Sequence, residues 1–121
     1  MERYEELLIK YNHLLINDCY KLPGDFKGFY DNGVILIDKN LSKAKKLEVL
    51  AEELAHHEIT YGNIVNQKDI QNRKYELKAR RLANEKLISL EGIIKAFLQG
   101  IHNLYELADF FEVTESFVLQ S

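Results

Sequence analysis

The chain has 121 residues, 46% hydrophobic and 29% charged, an ordinary globular composition that excludes a disordered protein and suits one domain with a real core. A formal net charge of −3 gives no electrostatic reason to expect direct nucleic-acid binding. Cys19 is the only cysteine, which excludes an internal disulfide and reads as a small apolar core residue. No apolar run approaches a membrane span, and Met1-Glu2-Arg3-Tyr4-Glu5-Glu6 lacks the order of a signal peptide, so a soluble, cytoplasmic protein without membrane contact is expected.

Tyr4, Leu7, Leu8, Tyr11, Leu14 and Leu15 recur at helical spacing and predict an amphipathic first helix. Pro23-Gly24-Asp25 breaks that pattern. Gly28-Phe29-Tyr30 is β-prone, Asp31-Asn32-Gly33 signals a turn, and Gly33 to Asp38 reads as a buried strand, so the two pieces form an antiparallel hairpin. Asn40 to Ser42 offer capping side chains for a helix to about Tyr61, with Leu47, Val49, Leu50 and Leu54 on its apolar face. Gly62-Asn63 is a stop signal. A polar helix follows from Asp69 to Leu87, with Tyr75, Ala79, Leu82 and Ala83 facing inward. Short helices over 90–98 and 104–111, and one from Thr114, finish the chain, with no repeats and no linker to separate domains.

Within the second helix, Ala51-Glu52-Glu53-Leu54-Ala55-His56-His57 keeps the frame of the zinc-peptidase motif H-E-x-x-H, with Glu52 in place of the first histidine. Residues at i and i+4 lie one turn apart on one face and can share a metal. Zinc accepts carboxylate oxygen as well as imidazole, so Glu52 and His56 are candidate ligands. Glu53 then stands where a general base can reach an attacking water. In the shifted frame of Glu53 and His57 the following residue is Leu54, which cannot act as a base. The competing bland reading is a solvated helix turn carrying two histidines.

A hydrolytic zinc site takes three protein ligands and leaves one position open. His13 and His102 lie outside the helix that follows the motif, whereas Glu76 lies on it, 24 positions after Glu52. Glu85 competes with Glu76 on spacing alone. A strand followed by such a motif helix is similar to the core of zincin peptidases, where the strand edge can pair with extended substrate backbone.

The runs Gly33 to Asp38, Leu47 to His57 and Glu76-Leu77-Lys78-Ala79 together resemble the ImmA/IrrE family of metallopeptidases, most closely over residues 30 to 90. Members from prophages and mobile elements of Gram-positive bacteria often carry the same Glu-Glu-x-x-His-His variant, and the family's E-x-x-A pattern on the next helix, matched here by Glu76 to Ala79, carries the third ligand. The resemblance implies a mostly helical α+β fold: a zincin-like minimal core with a small antiparallel hairpin on the motif helix, and a helical C-terminal tail. It implies one domain over 1–121, with a catalytic core to about residue 90 and a helix-turn-helix-like tail over 91–121. It further implies one Zn2+ held by Glu52, His56 and Glu76, with Glu53 as catalytic base. His57 stays open as a second catalytic residue, a ligand-orienting group, an alternative ligand or an exposed histidine. The implied activity is cleavage or inactivation of a phage or mobile-element repressor. The alternative is a non-catalytic zincin-like module that captures the repressor.

In the tail, Leu104 to Val118 has helix-turn-helix spacing, with Ala108, Val113 and Val118 at packing positions and Glu112 where the turn often has glycine. A DNA-reading helix offers Arg, Lys, Asn or Gln to bases and phosphates. Here that helix begins Thr114-Glu115-Ser116 and offers only Gln120, so a structural helix pair or a partner platform is expected. Phe110, Phe111 and Phe117 read as core.

Overall fold

The computed structural model describes residues 2–62 and 73–120, without the side chains of residues 61, 62 and 73–75. The loop and cap expected between 63 and 69, and the inward-facing Tyr75, lie outside the described residues.

The hairpin forms where the turn chemistry places it. Asn32 and Gly33 both have positive φ, 48° and 83°, the backbone that an Asn-Gly pair adopts at least cost. β2 (Gly28–Asp31) therefore returns antiparallel on β3 (Val34–Ile37), with Phe29 opposite Leu36 and Tyr30 opposite Ile35. β1 (Leu15–Asn17) pairs parallel to the other side of β3, giving the order β1-β3-β2, with β2 an edge strand among the described residues.

β1 corrects the reading of the first segment. α1 (Arg3–Lys10) is shorter than its leucine spacing suggests, because Tyr11 leaves helical geometry and Leu15 is recruited by the β3 ladder. A two-turn helix and a three-residue strand fit one apolar pattern that period alone cannot divide. Cys19 is a second correction. It is exposed beyond β1, where its N–H donates to Asn17 Oδ1, because that loop turns away from the core.

α2 (Lys43–Gly62) starts where Ser42 Oγ accepts from the Lys45 N–H, 3.2 Å away. Leu47, Leu50 and Leu54 are fully buried against Ile35 and Ile37 of the sheet. α3 (Arg73–Leu87) packs on the far half of α2 through Ala55, Ile59 and Ala79, with Leu82 beside them. Ala55 and Ala79, the two small residues of this contact, let the helices approach closely.

α4 (Leu90–Leu98), α5 (Leu104–Phe111) and α6 (Glu115–Leu119) form the tail, each opened by a side-chain cap from Ser89, Asn103 and Thr114. The tail belongs to the main core, since Phe111, Val113 and Phe117 join the cluster that contains Ile35 and Leu50. Two polar ties fix it. Buried Glu48 of α2 accepts from the Thr114 N–H at 2.6 Å and faces Lys45 at 3.3 Å. The Arg3 guanidinium donates to the Leu87 and Phe111 carbonyls at 2.8 and 2.7 Å, capping the ends of α3 and α5 together. Among the described residues, no helix is long and apolar enough to cross a membrane.

Candidate active site

The site is assembled by one helix face, one strand edge and one residue of the next helix. On α2 the burial pattern alternates between the core and the cleft. Ala51, Leu54 and Ala55 are buried, while Glu52, Glu53 and His56 turn toward a cleft of about 620 Å³ beside β2. Glu76 enters from α3. Ala79, one turn further along α3, is fully buried in the contact with α2, and this close packing carries Glu76 over the α2 face. The E-x-x-A pattern thus has a packing reason: the alanine sets the helix separation that the glutamate needs.

Glu52, His56 and Glu76 each offer one ligand atom, and these atoms lie within 4.8 Å of one another. His56 Nε2 and Glu76 Oε2 are 3.7 Å apart, with His56 12% and Glu76 51% exposed. A tetrahedral zinc with bonds of about 2.0–2.1 Å spaces its ligand atoms roughly 3.3–3.5 Å apart. The donor set therefore fits a divalent cation after side-chain movements of about 1 Å. Glu85 lies on the exposed side of α3 and lines a different depression with Arg81 and Ile88, away from this cluster.

Three carboxylates share this small volume. Burial is the first cause that pushes the Glu53 carboxyl up to about 8, and the charges of Glu52 and Glu76 add to it. Gly28 is what lets Glu53 sit against the strand. A Cβ there would lie 2.4 Å from Val49 Cγ1 and 3.3 Å from Glu53 Cγ, so only glycine permits this contact between β2 and α2. A second depression of about 550 Å³ shares Gly28, Glu52 and Glu53 with the first and continues to Arg80 and to Phe117 of α6. The two make one groove that passes over Glu53.

His57 points elsewhere. It is half-buried, does not line the cleft, and its Nδ1 lies 2.8 Å from the Tyr30 hydroxyl in an edge-on ring contact. Tyr30, on the edge strand, does line the cleft. Sequence reasoning did not single out Tyr30; its one available signal was an aromatic residue beside the hairpin turn. The helix-turn-helix spacing yields α5 and α6, with Glu112 in the left-handed region at φ 60°. α6 puts Phe117 into the core and walls the groove, so it does not project as a reading head.

A glutamate–histidine–glutamate cluster beside an edge strand, with a further glutamate raised toward neutrality, marks a metallopeptidase-type protein. The family follows directly: residues 10–121 match Peptidase_M78, the IrrE N-terminal-like domain, and the chain belongs to that family. No curated protein matches it.

Proposed function

We propose that the chain is a zinc-dependent endopeptidase of phage or mobile-element origin that acts in the cytoplasm on a repressor protein. The observation that carries this reading is the convergence of Glu52, His56 and Glu76 within 4.8 Å beside Glu53 and strand β2. Family membership supports the peptidase class. The Glu-Glu-x-x-His-His variant, which resembles that of mobile-element members, supports the choice of a repressor as substrate.

In this reading Glu52, His56 and Glu76 hold the cation. A bound divalent cation supplies Lewis acidity for water activation and offsets the local carboxylate charge. The substrate lies extended along β2, the edge strand of the sheet among the described residues. Glu53 accepts a proton from the attacking water as the new carbon–oxygen bond forms, then passes it to the amine nitrogen as the carbon–nitrogen bond breaks. Burial and the charges of Glu52 and Glu76 raise the Glu53 carboxyl in the metal-free chain, and a cation held by those two ligands would offset their charge and favour the ionised Glu53 that this role needs. Tyr30, held by His57, stands on the strand side of the cleft to orient the peptide. Two carboxylate ligands leave less net positive charge than two histidines, so turnover is slow, as suits a regulatory protease with one substrate.

The test incubates the purified chain and zinc with the repressor encoded beside it, and follows fragments by mass spectrometry. Cleavage by the parent and none by Glu53→Gln supports the enzyme. Equal repressor inactivation by both, without fragments, shows capture and overturns the proteolytic reading.

A further inference from the structure

We propose that the outward face of α4 is a self-association surface, through which two copies of the chain pair α4 against α4 in antiparallel about a two-fold axis. α4 meets the body mainly through its two smallest residues. Ala96 is fully buried, and a Cβ on Gly92 would lie 2.8 Å from Phe111 Cε1, so the helix lies tightly down on that side. The opposite side carries Leu90, Ile93, Ile94, Phe97 and Leu98 at i, i+3, i+4, i+7 and i+8, one continuous apolar stripe. Leu90, Phe97 and Leu98 are each more than 70% exposed, and Ile94 is 56% exposed. Core-facing stripes are usual on surface helices, whereas here the stripe faces solvent.

Area and charge select the occupant. The five side chains expose on the order of 600 Å² together, near what one partner contributes to a small stable interface of roughly 1,200 Å². Charge is arranged for self-recognition. Glu91 and Lys95 lie one turn apart on one flank of the stripe, and neither forms an ion pair among the described residues. In an antiparallel pair, the flank of one helix meets the same flank of the other running in reverse. With the axis near Ile93, Glu91 of each copy faces Lys95 of the other. An arbitrary partner has no reason to match this pattern, whereas a second copy matches it by symmetry. The small interface gives a weak dimer, with Kd on the order of 10–100 μM.

Sedimentation velocity of the full chain between about 5 and 300 μM tests this. The expected result is a shift from monomer to dimer over that range. Phe97→Glu should remain monomeric, with unchanged circular dichroism and Tm, because Phe97 contributes little to the folded core. Glu91→Lys and Lys95→Glu should each weaken dimerisation severalfold, and the two together in one chain should restore it. A parent that stays monomeric throughout overturns the proposal, even if Phe97→Glu impairs binding of another protein. So does a dimer that tolerates Phe97→Glu, and failure of the paired reversal to restore association overturns the antiparallel arrangement.

Discussion

Glu53 should make the metal-free protein less stable as pH rises from about 5 to 8. Its carboxyl titrates near 8 in the folded chain, against an ordinary value of 4.5, with burial the largest cause and Glu52 and Glu76 adding to it. Between those values the folded protein keeps a proton that the unfolded chain has lost, so raising the pH favours unfolding. Below about 4.5 both states are protonated and the folded state carries no penalty from this group; above about 8 both are ionised and the penalty is complete. The slope inside the window approaches about 1.4 kcal/mol per pH unit. From pH 5.5 to 7.5 the loss is at most about 2.7 kcal/mol, and water reaching the open cleft reduces it to about 1–2 kcal/mol. For a chain of this size that is a fall in Tm of roughly 3–8 °C. The assay is thermal unfolding in a chelator, comparing the parent with Glu53→Gln, which keeps the shape and removes the titration. The other titrating groups are common to both proteins, so the difference between them isolates Glu53. A difference that is flat over this range, or that grows more favourable to the parent at high pH, would refute the burial argument.

Three other changes probe the packing and charge of the site. Glu52→His exchanges a carboxylate for imidazole and should raise zinc affinity roughly tenfold or more, together with turnover; lower affinity or activity than the parent, by calorimetry and peptide cleavage, would sink the charge argument. Gly28→Ala forces its methyl onto Val49 and Glu53 and should cost about 1–3 kcal/mol in urea unfolding, whereas an unchanged midpoint would mean that the contact yields freely. Ala79→Leu overfills the α2–α3 contact and should also cost about 1–3 kcal/mol. It should weaken metal binding as well, by moving Glu76 away; unaltered zinc titrations in that variant would break the link between the alanine and the site.

Much of this molecule can be read from residue pattern because its strongest signals are local. Asn32-Gly33 dictates its own turn, and Leu47, Leu50 and Leu54 sort to the core by helical period. The spacing of Glu52, Glu53 and His56 presents them on one cleft-facing side of α2, as helix geometry requires. What escaped the pattern depends on contacts distant in sequence. β1 exists only because β3 offers a free edge, so Leu14 and Leu15 read as a continuation of α1. Cys19 reads as core by residue type, yet its loop turns outward. Tyr30 reaches His57 across the strand–helix interface, which no local period encodes. The preference for Glu76 over Glu85 likewise rests on Ala79, whose role appears only once α3 lies against α2.

Zinc titration of the purified, chelator-stripped protein by isothermal calorimetry, beside Glu76→Ala, decides whether Glu52, His56 and Glu76 hold a metal. One zinc per chain should bind at micromolar affinity or tighter, weakened about a hundredfold or more in the variant. No binding at micromolar zinc, or binding that Glu76→Ala leaves intact, would contradict it.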